Sequence, residues 1–208
     1  MTRAPWLDGE LEYRSFGTPG APRAVFVLRT GDVATTDPDA RVTSGHDVRI
    51  VAVGLDAPEL DDPPAFGGQT PAGLTVDALR DLLAREAPGT RVGLVGERAA
   101  GHIAIHLAAV MGDVVDRLAI VGVPSPSEPL TRDLATPMLD TLVAETLIVV
   151  GGDGPADLDD ADWYAERLPN ARIEVRGADE IDSVNGHVTL SDAWDVVLTH
   201  VAPDAFRR

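Results

Sequence analysis

The residues able to do chemistry gather at a few places in this chain. The stretch VGERAAGHIAIHLA, residues 95–108, reads as a strand end, a tight turn carrying Glu97, Arg98 and Ala99, and the first turns of a helix. An arginine stays protonated at any ordinary pH and offers a planar fork of donors. The helix start beside it adds N–H groups and the positive end of a dipole, so the pair can hold a carboxylate or phosphate. The alternative for Arg98 is an ion pair with Glu97, Asp32 or Asp153. His102 and His106, four apart, share a helix face that could carry a metal, but no companion ligand pattern stands near them and both read as structural. Asp157, Asp159, Asp160 and Asp162 lack the spacing and central glycine of a calcium loop and read as a charge cluster favouring the start of the helix that follows. Ser125, Ser127 and Ser183 lack the strained turn that exposes a nucleophile. With no cysteine there is no thiolate, disulfide or cysteine metal site, and no Gly-x-Gly-x-x-Gly follows the first strand. Neither a metal nor a cofactor is expected.

The elements that must position these residues alternate. Residues 10–17 suit an edge strand. Buried strands are expected at 23–30, 47–55, 91–97, 117–123, 145–152 and 172–177. Helices are expected from Thr75 as N-cap to the stop at APG (87–89), then at 99–111, 131–142, 160–168 and 191–201. Strands that are apolar almost throughout, separated by amphipathic helices, predict a three-layer α/β/α sandwich around a mostly parallel twisted sheet. In such sheets ligands bind beyond the carboxyl ends of the strands. The loops after Thr30, Leu55, Gly96, Val123, Gly152 and Gly177 are therefore the candidate site, and the Pro- and Gly-rich stretch 56–73 reads as its rim or lid.

Composition narrows the function classes. The chain has 208 residues, 44% of them hydrophobic, which suits one globular domain with a sizeable core. It carries 34 acidic residues against 17 basic ones, every basic one an arginine, for a net charge of −17. Such a surface repels phosphate backbones and anionic membranes, which argues against nucleic-acid partners. The N-terminal residues lack the apolar core of a signal peptide, and no apolar run reaches the roughly 18–20 residues of a membrane span. A cytoplasmic protein is the expectation. Dimerisation is compatible with the sequence but nothing in it decides the matter.

Three quoted stretches together carry a family resemblance. VGLVGERAAGHIAIHLAAVMGDVVDRLAIVGVP (92–124) resembles the nucleophile elbow, helix and following strand of the α/β-hydrolase superfamily. ETLIVVGGDGPADLDDADWYAERLPNARIEVRG (145–177) is similar to the stretch between that family's acid-bearing and histidine-bearing strands, and GHVTLSDAWDVVLTHV (186–201) to its histidine loop and last helix. The likeness runs from about residue 11 onwards and implies that fold. It also implies positions for the family's chemistry. Gly96 and Ala100, with Gly101 beyond, fill the small positions of a Gly-x-Ser-x-Gly elbow, but Arg98 stands where the serine belongs and cannot attack a carbonyl. His187 stands at the histidine position. Asp153 lies one place early for the acid, with Asp157 able to swing in. Thr30, Gly31 and Asp32 occupy the oxyanion-hole stretch, where a carboxylate would oppose developing negative charge. Only residues 124–144 bridge two neighbouring strands, too short for a helical cap domain. The resemblance thus implies a single-domain, cap-less, catalytically degenerate member, with Gly31, Asp32, Glu97, Arg98 and Ala99 around a small anionic ligand, or serving a protein partner. The alternative is an active hydrolase, acyl-transfer enzyme or lyase using His187 as base with water or a non-standard nucleophile.

Overall fold

The computed structural model describes residues 11–31, 33, 45–55, 71–152, 154–177, 181 and 187–205. Strands β1 (Tyr13–Gly17), β2 (Arg23–Thr30), β3 (Val48–Leu55), β4 (Val92–Glu97), β5 (Val115–Val121), β6 (Glu145–Gly151) and β7 (Ala171–Arg176) form one sheet in the order β1-β3-β2-β4-β5-β6-β7. β1 runs antiparallel to β3; every other neighbouring pair is parallel. The described helices are α1 (Pro71–Glu86), α2 (Ala100–Met111), α3 (Pro129–Asp140), α4 (Pro155–Ala165) and α5 (Leu190–Val201).

Side chains alternate across the pleat and so feed two cores. Ala24, Phe26 and Leu28 of β2 face a cluster that takes in Leu79, Leu82 and Leu83 of α1, Ile103 and Leu107 of α2, Leu139 of α3 and Ala161 of α4. Val25 and Val27 point the other way, to a cluster closed by Ala193, Trp194, Val197 and Val201 of α5. Burial on both faces explains why the strands read as continuous apolar runs.

The connection from β2 to β3 goes to one side and β4 returns on the other side of β2, so the order reverses between β2 and β4. The carboxyl ends of strands at such a reversal diverge and leave a crevice. Gly31 follows β2 and Arg98 follows β4 at that place.

Several boundaries differ from the sequence reading. α1 starts at Pro71, placing Thr75 inside the helix and buried rather than at its cap. α4 starts at Pro155, so the acidic cluster lies within the helix and not ahead of it. β5 ends at Val121, two residues earlier than expected, because Gly122 takes φ +58° and leaves the strand. Residues 56–70, most of the expected lid, lie outside the described residues, as do Asp32 and Asp153.

Candidate functional site

The turn after β4 is the sharpest feature of the crevice. Arg98 has φ +52°, and no other described non-glycine residue has positive φ. Its N–H donates to the Val121 carbonyl at 2.9 Å, and its own carbonyl accepts from the Gly101 N–H at 2.9 Å, so the chain reverses from strand to helix within three residues. A Cβ on Gly96 would sit 2.6 Å from Gly101 Cα and 2.7 Å from Ala104 Cβ. A Cβ on Gly101 would overlap a methyl group of Val123. Gly96 thus packs directly on Gly101 and Ala104, and Gly101 on Val123.

Beyond that turn lies a cavity of about 120 Å³. Its polar lining is Arg98, Asp157, Asp160 and His187; Val123, Val150 and Val188 supply apolar wall, with Gly122 and Pro124 between. His187 Nδ1 stands 3.6 Å from Asp157 Oδ2, ion-pair range but longer than a hydrogen bond. The His187 side chain is 52% exposed and that of Asp157 24%. Asp157 and Asp160 lie three apart in the first turns of α4, a spacing that puts both on one face. Among the described residues the Arg98 guanidinium makes no hydrogen bond and no ion pair, and it is exposed at the cavity mouth.

Glu97, next to Arg98 in sequence, goes elsewhere. One of its oxygens accepts the Leu190 N–H at 2.9 Å and the other faces Arg29 Nε at 3.3 Å. Glu97 is 7% exposed and does not line the cavity. This carboxylate ties together three segments that border the crevice: the end of β2, the turn after β4, and the start of α5, three residues after His187. Ala99 precedes the first turn of α2 and Gly31 follows β2 with φ +88°; neither lines the cavity.

The far wall is held by an unusual concentration of donors on one carbonyl. His102 Nε2–H donates to Pro124 O at 2.8 Å and the Tyr164 hydroxyl donates to the same oxygen at 3.0 Å. Burial pushes the pKa of His102 below the usual histidine range, outweighing Pro124 and Asp160, which raise it. Burial, reinforced by the charge of Asp160, drives the Tyr164 phenol well above its usual value. His102 is thus a neutral donor fixing the wall, and no group of three potential metal ligands occurs among the described residues. The Ser125 hydroxyl donates to Asp160 Oδ1 at 2.6 Å while Arg132 donates to Ser125 Oγ at 3.1 Å and to Pro126 O at 2.6 Å. Gly122 at φ +58° would put a Cβ 3.0 Å from Val188 O, so its lack of a side chain lets the His187 segment approach β5.

Of the residues singled out in the sequence, the structure brings Arg98, His187, Asp157 and Asp160 to one cavity, the last read in the sequence only as part of a charge cluster. Gly122 was not anticipated there. The signal for Asp160 was its three-residue spacing from Asp157 once the helix is started at Pro155.

No protein-family model and no curated protein sequence matches the chain. Solved structures do. Dienelactone hydrolase from Anabaena variabilis superposes with a TM-score of 0.67 at 17% identity, over 95% of this chain and 93% of that one. MGS-M2, an α/β hydrolase enzyme from a Medee basin deep-sea metagenome library, gives 0.64 at 12% identity over 90% and 92%. A predicted CIB-like hydrolase from Thermoplasma acidophilum gives 0.59 at 14% identity over 89% and 87%. The reversal between β2 and β4, the strained turn at Arg98 and these superpositions lead to one conclusion: the chain has the α/β-hydrolase fold.

Proposed function

We propose that this protein is a catalytically degenerate α/β-hydrolase-fold protein that binds a small anionic group on Arg98 and forms no acyl-enzyme. One observation carries the reading: the single strained non-glycine residue among those described holds a guanidinium that has no partner among the described residues, at the mouth of a cavity. Strain of this kind, costing about 1–3 kcal/mol, persists where surrounding structure imposes it and clusters at functional sites. A guanidinium has no nucleophilic pair to offer, so the place where the fold's hydrolases carry their nucleophile is here a cation. The reading treats residues 1–208 as one domain without a cap, the β5–β6 connection carrying only α3, and takes the protein to act in the cytoplasm. Among the described residues no helix is long and apolar enough to cross a membrane.

The test is calorimetric titration of the protein with short carboxylates and inorganic phosphate, alongside an assay of p-nitrophenyl acetate. Wild type should bind one of these anions, Arg98→Ala should lose it, and neither should release p-nitrophenolate above the buffer rate. A burst of p-nitrophenolate from wild type that disappears in His187→Ala would reverse the proposal.

A second reading is favoured by the His187–Asp157 contact. The pair could act as general base on water or substrate while Arg98 holds the substrate's anionic group; contacts of this kind are often long without ligand and tighten on binding. It predicts turnover that both Arg98→Ala and His187→Ala abolish without loss of folding, as read by circular dichroism.

A further inference from the structure

The charges around the cavity are unequal, and the ligand must answer to all of them. Arg98 brings one positive charge, whereas Asp157 and Asp160 bring two carboxylates, only one of which has His187 against it. A simple carboxylate on Arg98 would sit in a small space with two like charges, and like-charge juxtaposition opposes binding. Each aspartate also keeps accepting capacity. Asp160 Oδ1 takes the Ser125 hydroxyl and Asp157 Oδ2 faces His187, leaving the other oxygen of each without a partner among the described residues. The two side chains rise from one helix face three residues apart, close enough for a single ammonium to lie between them. The opposite wall is apolar, formed by Val123, Val150 and Val188.

Building on the anion reading of Arg98, we infer that the cavity takes a small zwitterionic amino acid. Its carboxylate lies on the Arg98 guanidinium, its ammonium lies between Asp157 and Asp160, and a short aliphatic side chain packs on the three valines. At about 120 Å³ the space has room for a free amino acid.

The experiment compares three probes on the whole chain at matched ionic strength: L-2-aminobutyrate, butyrate, which lacks its ammonium, and n-propylamine, which lacks its carboxylate, each titrated by calorimetry and by thermal shift. The expected order is 2-aminobutyrate tighter than either single-charge probe by about tenfold or more. Asp160→Asn should erase that margin and tighten butyrate, and Asp157→Asn should do likewise; the thermal midpoint of each variant without ligand shows that it is folded. Butyrate binding as tightly as 2-aminobutyrate to wild type overturns the zwitterion while leaving the anion reading of Arg98 standing. Propylamine alone binding, or no probe binding, overturns both.

Discussion

Arg98 pays for its position in backbone energy. A non-glycine residue in the left-handed region costs about 1–2 kcal/mol relative to a right-handed one, so Arg98→Gly should raise the free energy of unfolding in urea by about 1 kcal/mol. The same variant should lose anion binding, a separation that only a residue kept for function would show. Arg98→Ser is the complementary change. It places a hydroxyl at the strained apex, on the cavity that His187 and Asp157 line, and should release p-nitrophenolate from p-nitrophenyl acetate measurably faster than wild type does. Glu97 behaves differently. Truncating it to alanine leaves the Leu190 N–H without its buried acceptor and Arg29 without its carboxylate, a loss of roughly 1–3 kcal/mol by urea denaturation. The sequence could place Arg98 because a strand, a turn and small neighbours spell out the reversal. It could not place Glu97, because successive side chains at a strand end point to opposite sides and adjacency in sequence is not adjacency in space.

At the level of elements, the strands were legible to within about three residues at their ends because apolar runs with β-branched residues leave little choice. The helix starts were not. α1, α3 and α4 begin at Pro71, Pro129 and Pro155, and in each case the sequence reading started the helix two to five residues late. Proline suits the first helical position, where its missing N–H has no partner to lose, so each of these prolines marks a helix start in the sequence. Starting α4 late moves Asp157 out of its helix and hides its relation to Asp160. The contact of α2 with the sheet makes a sharper prediction. Gly101→Ala drives a methyl group into Val123, whose other Cγ lies 3.0 Å from the Cβ position. Overpacking of this kind costs about 1–3 kcal/mol. Because Val123 lines the cavity, the variant should also weaken ligand affinity, measured by calorimetry on protein still folded at 15 °C (~15 °C lies near maximum stability).

For the whole molecule, three histidines set the response to acid. Burial lowers the pKa values of His102, His106 and His200; at His200 burial outweighs the carbonyls of Glu145 and Leu118, while Arg172 and Arg117 lower it further. The folded chain therefore binds fewer protons than the unfolded chain once pH falls through the ordinary histidine value of about 6.5. Stability is complete above that value and is lost as pH drops towards the lowered folded values. The urea midpoint should fall between about pH 7.5 and 5.5, a window in which exposed carboxylates stay ionised. His200→Gln, which keeps a donor for the Leu118 and Glu145 carbonyls, should flatten that slope. The global architecture was readable from alternation alone. What escaped were contacts between residues far apart in sequence, such as Glu97 with Leu190 or Arg23 Nε with Val201 O at 2.9 Å. Those same contacts bear on biosynthesis. Among the described residues α5 is what closes over Val25, Val27, Val95, Val121 and Val149. Until α5 has left the ribosome and docked, that apolar strip lacks this cover, so a nascent chain carrying most of the sheet should be prone to aggregate.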